Sequence, residues 1–265
     1  MSIRIYPKHL QGVGQFDGGA IVEQKPIGFP GEGSVVKRVG PLFYWAWFRA
    51  ESEGHIPMHP HHGFEIMTYV IKGKAAHQDS LGTRSTVQAG GVQLMQTGSG
   101  VEHEERMIGP EMEGFQIWFE PNLEKTVHHP PTYRQFEHDD FPRLQHEGVT
   151  VKEVLGDNSP AQLEVPAVMK DVELGEQAIW RYPLSKGKAV AGLLLEGEAQ
   201  VYTQMSEERD THRNPSNAQM QAGDFLVYEA DGEMELVFQA ASTKPVRLIV
   251  IKVPAQVDYR LYPKR

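Results

Sequence analysis

Two short segments, His59-Pro60-His61 and His103-Glu104-Glu105, hold the residue types that could bind a metal ion together. In an extended strand, residues i and i+2 project from the same face, so each segment would aim two side chains to one side. Pro60 lacks an N–H and suits a strand start or edge, while the second pair follows a glycine-rich turn, Thr97-Gly98-Ser99-Gly100. Three imidazoles and one carboxylate, in a chain with no cysteine, make a donor set for Fe(II), Mn(II), Ni(II), Zn(II) or Cu(II). Around an octahedral ion, four protein ligands leave two positions for water, dioxygen or a bidentate substrate. One divalent ion per chain, on His59, His61, His103 and Glu105, is therefore expected.

A single histidine is usually structural, and the weight of this inference lies in the joint pattern, with the second pair starting 44 residues after the first (59 to 103). Glu65, four beyond His61 on the same strand face, is the rival fourth ligand, and otherwise an acceptor that would orient a ligating ring. His62 should face away, His77 should be an exposed strand-end residue, and His128 and His129 look like linker. Competing motifs fail. His103-Glu104-Glu105-Arg106-Met107 carries Met where a zincin needs a second His, and Gly12, Gly14 and Gly18 miss the dinucleotide spacing.

The two pairs sit 44 residues apart in sequence, so strands must fold them onto one point. From Gly63 onward apolar residues recur at every second position, as in Phe64, Ile66, Thr68, Val70 and again in Phe115, Ile117, Phe119. Turn signals interrupt the runs at Ile71-Lys-Gly-Lys74, Asp79-Ser-Leu-Gly82, Gln88-Ala-Gly-Gly91 and Thr97-Gly-Ser-Gly100, the rhythm of a β-sandwich or barrel. Helix periodicity is scarce, a short helix near Tyr133 to Phe141 being the one place it is expected. The aromatic segment Phe43-Tyr-Trp-Ala-Trp-Phe48 reads first as a core strand and second as a wall of the pocket mouth.

A faint internal repeat accompanies this rhythm: Leu194-Leu-Glu-Gly-Glu198 echoes Val70-Ile-Lys-Gly-Lys74, and Gln221-Ala-Gly-Asp224 echoes Gln88-Ala-Gly-Gly91. Two domains are expected, 1–140 and 141–265, joined by the Pro- and His-rich stretch His128 to His146, with Val149 to Val154 opening the second. Shifted by the repeat, the ligand positions fall near Pro183, Ser185, Leu236 and Phe238, so the second domain should hold no metal.

The net charge of −9, with Lys and Arg scattered, argues against nucleic acid and anionic membrane as partners. No apolar run approaches the ~20 residues of a transmembrane helix. The start, Met1 to His9, has no apolar signal core, so a cytoplasmic protein is expected.

Several of these segments together resemble the pirin family, a branch of the bicupins: His59-Pro-His-His-Gly-Phe-Glu65, His77-Gln-Asp-Ser-Leu-Gly82, Gly98-Ser-Gly-Val-Glu-His-Glu-Glu105, Gly114-Phe-Gln-Ile-Trp118 and Pro130-Pro-Thr-Tyr-Arg-Gln135. The resemblance implies an all-β fold of two tandem cupin (double-stranded β-helix, jelly-roll) barrels, with iron in the N-terminal barrel on His59, His61, His103 and Glu105. It further implies a site like that of quercetin 2,3-dioxygenases, with a small aromatic flavonol and O2 as substrates and Glu105 accepting the flavonol hydroxyl proton, or else a regulatory role with a protein partner. A cupin-type sugar-phosphate isomerase is a third class, but only Arg84 and Arg106 lie near the motif to hold a phosphate. The chain departs from the family pattern at His62, where Arg is usual, in the aromatic Phe43–Phe48 stretch and in its closing segment, Val257 to Arg265.

Overall fold

The runs of alternating residues do form strands. The computed structural model describes residues 2–205, 216–241 and 244–264, and every pair of neighbouring strands in it is antiparallel. The chain divides into two compact, all-β units, the first built on one branched sheet and the second on two sheets.

The first unit is built on the main-chain stretch Leu10–Phe141. Its central strands are Leu42–Ala50, Glu65–Asp79 and Val101–Phe119, with Glu65–Asp79 and Val101–Phe119 paired from Glu65↔Phe119 to Asp79↔His103. Gly54–His61 pairs with the first half of Val101–Phe119, and Arg84–Gln88 with the second half of Glu65–Asp79. Such long strands take different neighbours along their two halves. Gly73, at a φ of 74° that only glycine adopts without strain, sits where the pairing of Glu65–Asp79 with Val101–Phe119 slips register. Residues Glu65 to Ile71 are buried without a break, so this strand is covered on both faces and the expected alternation with solvent does not appear there.

The second unit holds a seven-stranded sheet, with Lys188–Glu196 and Val246–Pro254 at its centre, and a four-stranded sheet of Ile179–Leu184, Met234–Ala240, Glu198–Met205 and Asn217–Gln221. Its hydrophobic core includes Leu236, Phe238, Leu226 and Val190, all fully buried.

The internal repeat is a repeat of hydrogen bonds. In the first unit Gly90 N–H donates to Val70 O, Val70 N–H to Gly91 O, and Gly91 N–H to Gln88 O. In the second, Gly223 N–H donates to Leu194 O, Leu194 N–H to Asp224 O, and Asp224 N–H to Gln221 O. Both turns put glycine at positive φ, 82° at Gly90 and 93° at Gly223.

The units depart from the contiguous division 1–140 and 141–265 at three places. The main break falls between Phe141 and Pro142, but the segment through His9 belongs to the second unit, where Arg4–Tyr6 pairs with Phe225–Glu229. Pro160–Val165 and the tail from Asp258 belong to the first. The stretch expected to be linker is mostly structured: Thr132–Phe136 is a strand paired with Val92–Gln96, so the helix expected near Tyr133 is replaced by strand and a single 3-10 turn, His138–Asp140. Arg143–His146 then pairs with Val149–Leu155 to open the second unit.

Candidate metal centre

His59 and His103 are direct partners across the Gly54–His61 and Val101–Phe119 ladder, and His61 lies two residues further on the same face. The ladder thus brings both residues of the first pair and His103 of the second to one side. The three rings converge, with centroids 4.5 to 4.8 Å apart. One nitrogen from each comes within 4.8 Å of the others, and this is the only cluster of three or more candidate ligands among the described residues.

Hydrogen bonds fix which nitrogens are free. His59 Nδ1 bonds Pro57 O at 2.8 Å, which makes Nδ1 the protonated nitrogen and leaves a lone pair on Nε2. That Nε2 faces Nε2 of His103 at 3.0 Å. The Nε2 of His61 is buried and has no hydrogen-bond partner among the described residues. An orphaned buried acceptor is costly, and nitrogens aimed at one another are disfavoured unless a cation or proton lies between them. The three residues therefore fit a divalent ion, and each would hold it through Nε2. Burial, followed by the neighbouring histidines, pulls His61 and His103 down to a pKa of about 3, so both rings are neutral and ligand-competent at physiological pH.

Glu105 is buried on the same strand face as His103 but stands outside the triad. Its Oε1 accepts from Thr68 Oγ1 at 3.2 Å and its Oε2 from Gln116 Nε2 at 2.7 Å. The Gln116 amide is oriented in turn by Trp118, whose Nε1–H donates to Oε1 of Gln116 at 3.1 Å. The Trp118 ring meets His61 edge-on, with centroids 4.8 Å apart. Behind it lie Tyr44, Phe29 and Phe64, so the aromatic Phe43–Phe48 segment is a buried strand that also supplies an aromatic wall beside the triad. The tail adds to this wall: Tyr262 packs edge-on against Phe43 and Phe64, and Lys264 lies over the Phe43 ring at 4.3 Å.

Two sequence expectations change. Glu65 neither joins the cluster nor orients an imidazole. Its carboxylate accepts from Gln96 Nε2 at 2.7 Å and from the backbone N–H groups of Glu164 and Val165 at 2.8 and 3.1 Å, tying Pro160–Val165 into the first unit. His77 is not an exposed strand end but is 5% accessible, with its Nδ1 3.4 Å from Nδ1 of His103 and its Nε2 2.9 Å from Asp79 Oδ2. The sequence did carry a signal for this, since His77-Gln78-Asp79 is a third i, i+2 pair of the same kind. His62, His128 and His129 are exposed, as expected.

At the expected counterparts in the second unit, Pro183 and Ser185 are exposed and Leu236 and Phe238 are core. No helix among the described residues is long and apolar enough to cross a membrane.

Residues 44–119 match the Pirin family model, a span that includes all four expected ligands. Over 237 residues the chain is 29% identical to pirin-like protein 2 of Arabidopsis thaliana, covering 83% of this chain and 70% of that one. Among solved structures, the crystal structure of a quercetin 2,3-dioxygenase from Acinetobacter baumannii superposes with a TM-score of 0.74 at 21% identity, covering 96% of this chain and 79% of that one. The bacterial pirin YhhW from Escherichia coli, solved in complex with nickel(II), gives a TM-score of 0.73 at 19% identity, with 95% and 99% covered.

Proposed function

Since the chain belongs to the pirin family of two-barrel cupins, we propose that its first barrel is a metal-dependent dioxygenase site acting on a flavonol-like, enolic aromatic substrate, with one Fe(II) ion held by His59, His61, His103 and Glu105. The observation that carries this reading is the convergence of three Nε2 atoms, one of them buried without a partner. The likeness to a quercetin 2,3-dioxygenase structure and to a nickel-bound pirin supports a small-molecule substrate and a divalent ion of this class.

Held there, a divalent ion would supply Lewis acidity toward the substrate oxygens. The chain supplies the rest. His61 and His103 are held neutral by burial, so no proton has to leave either of them for the site to load. Glu105, held by Thr68 and Gln116 and lying on the metal-facing side of its strand, is the carboxylate that accepts the substrate hydroxyl proton and completes the ligand set. Trp118, Phe64 and Tyr44 form an apolar wall against which a planar ring system can stack while water is kept out. A cytoplasmic setting, with no nucleic-acid or membrane partner, fits the charge of −9.

The test is oxygen uptake by protein reconstituted anaerobically with Fe(II), Mn(II), Ni(II) or Cu(II), with quercetin as substrate and His61→Ala as control. Uptake that needs both metal and His61 establishes the oxygenase. No uptake at one bound metal per chain overturns it and moves the assignment to a metal-dependent module that binds a protein partner.

A further inference from the structure

The proposed metal centre has a support that no part of the oxygenase reading uses: a buried line of three side chains, Asp79, His77 and His103. We infer that Asp79 and His77 form a positioning relay that fixes the tautomer and direction of His103, presenting its Nε2 to the ion. This inference rests on the metal assignment of the preceding section.

Every bond of the relay is explained by its neighbours. Asp79 closes the turn to Arg84–Gln88, where its Oδ1 accepts the backbone N–H groups of Leu81 at 2.9 Å and Thr83 at 3.0 Å. That occupies one oxygen and leaves Oδ2 for Nε2 of His77 at 2.9 Å. A carboxylate only accepts, so His77 carries its proton on Nε2 and presents a lone pair at Nδ1. That lone pair faces Nδ1 of His103 at 3.4 Å, and the matching arrangement puts a proton on His103 Nδ1 and the free pair on Nε2, the atom that faces His59. The His77 ring cannot turn away. It is stacked on Tyr133 at 4.3 Å with the planes 21° apart, and both His77 and Asp79 are 5% accessible. A metal-bound imidazole whose other N–H is held by an acceptor is a stronger and better oriented donor, and such outer partners are worth about 10–100-fold in metal affinity.

Strand geometry explains why the three meet. Asp79 is the direct partner of His103 across the Glu65–Asp79 and Val101–Phe119 ladder, and His77 is the partner of Glu105, so all four side chains share one face. The segment His77-Gln78-Asp79 is therefore to the relay what His59-Pro60-His61 is to the ion.

Asp79→Asn is the informative variant. Its amide oxygen can keep the two turn hydrogen bonds, which turns the NH2 toward His77 and forces that ring to carry its proton on Nδ1, against the N–H of His103. His77→Phe is the second variant, since it keeps the stack on Tyr133 while removing the acceptor that faces His103 together with the donor to Asp79. Zinc(II) and nickel(II) affinities would be measured by chelator competition on the full chain, and the histidine tautomers of the zinc-loaded wild type by 15N NMR. The expected result is a 10–100-fold weaker affinity for Asp79→Asn, a loss of about tenfold for His77→Phe, and a wild-type His77 protonated on Nε2 and bare on Nδ1. A proton on Nδ1 of His77 in the loaded wild type overturns the relay, and this holds even where a variant does not fold. Affinities within about threefold of wild type in both variants, with normal folding, overturn it as well. A wild type that binds neither ion instead overturns the metal assignment, and the relay with it.

Discussion

Where Gly54–His61 lies against Val101–Phe119 in the first barrel, His59 is paired with His103. Where Ile179–Leu184 lies against Met234–Ala240 in the second, Tyr182 is paired with Leu236 and Trp180 with Phe238. The same strand pair of the same repeated unit thus faces inward with imidazoles in one copy and with hydrocarbon and aromatic rings in the other. The second copy uses these positions as core: Tyr182, Leu236 and Phe238 are at most 3% accessible, and the Trp180 ring stacks on both Tyr182 and Phe238. The first copy forgoes that packing. It sets three polar rings there instead, His103 buried and His59 and His61 half-buried, an arrangement that repays its cost only when a ligand is held there.

The sharpest way to break the comparison is to truncate each interior. Phe238→Ala should destabilise the second unit by about 3–5 kcal/mol, read by denaturant unfolding, and leave metal stoichiometry and affinity unchanged. His61→Ala should do the reverse, costing metal affinity more than the roughly 100-fold expected for loss of an outer partner while leaving the metal-free stability within about 1 kcal/mol. A Phe238→Ala protein that lost its metal would show that the second barrel serves the first and is not a core in its own right.

Acid should separate the barrels next. His61 and His103 have folded pKa values near 3 against an unfolded value of 6.5, so between those limits the unfolded chain binds more protons than the folded one. Stability of the metal-free protein is therefore intact above about pH 6.5 and falls as pH drops toward 3, by at most about 1.4 kcal/mol per pH unit for each histidine. His61→Phe should flatten the slope by one histidine's share. A slope in metal-free protein unaffected by that substitution would mean that the site is not the source of the acid sensitivity.

Much of this contrast was legible in the sequence. The paired ligands could be read because strand period is local, so that His59 and His61, or His103 and Glu105, must share a face wherever the strand goes. The repeat was legible because its glycines hold turns that side chains disfavour. What local pattern cannot give is the partner across the ladder. Nothing in Arg4 to Tyr6 or Asp258 to Lys264 says which unit each joins, and Glu65 looked like a rival ligand because its caps, Glu164 and Val165, lie 99 and 100 residues away. His77 was misjudged for the same reason: its burial comes from Tyr133 and His103, on strands that meet only in the folded chain.

The smallest effect tests the meaning of an unpartnered atom. Each barrel buries one in this pair of strands, Nε2 of His61 in the first and the Tyr182 hydroxyl in the second, neither with a hydrogen-bond partner among the described residues. The comparison assigns them opposite roles. Among the described residues no cluster of candidate ligands includes Tyr182, whose ring stacks on Trp180 with the Lys252 ammonium 4.9 Å from its centroid, so its hydroxyl is a local cost. Tyr182→Phe should raise stability by about 1 kcal/mol with metal affinity unchanged, measured by urea unfolding and chelator competition. His61→Phe should likewise raise the stability of the metal-free protein, but at the loss of metal binding. Should Tyr182→Phe destabilise the protein, the hydroxyl has a partner in solution, and the second barrel keeps a polar function that its apolar lining conceals.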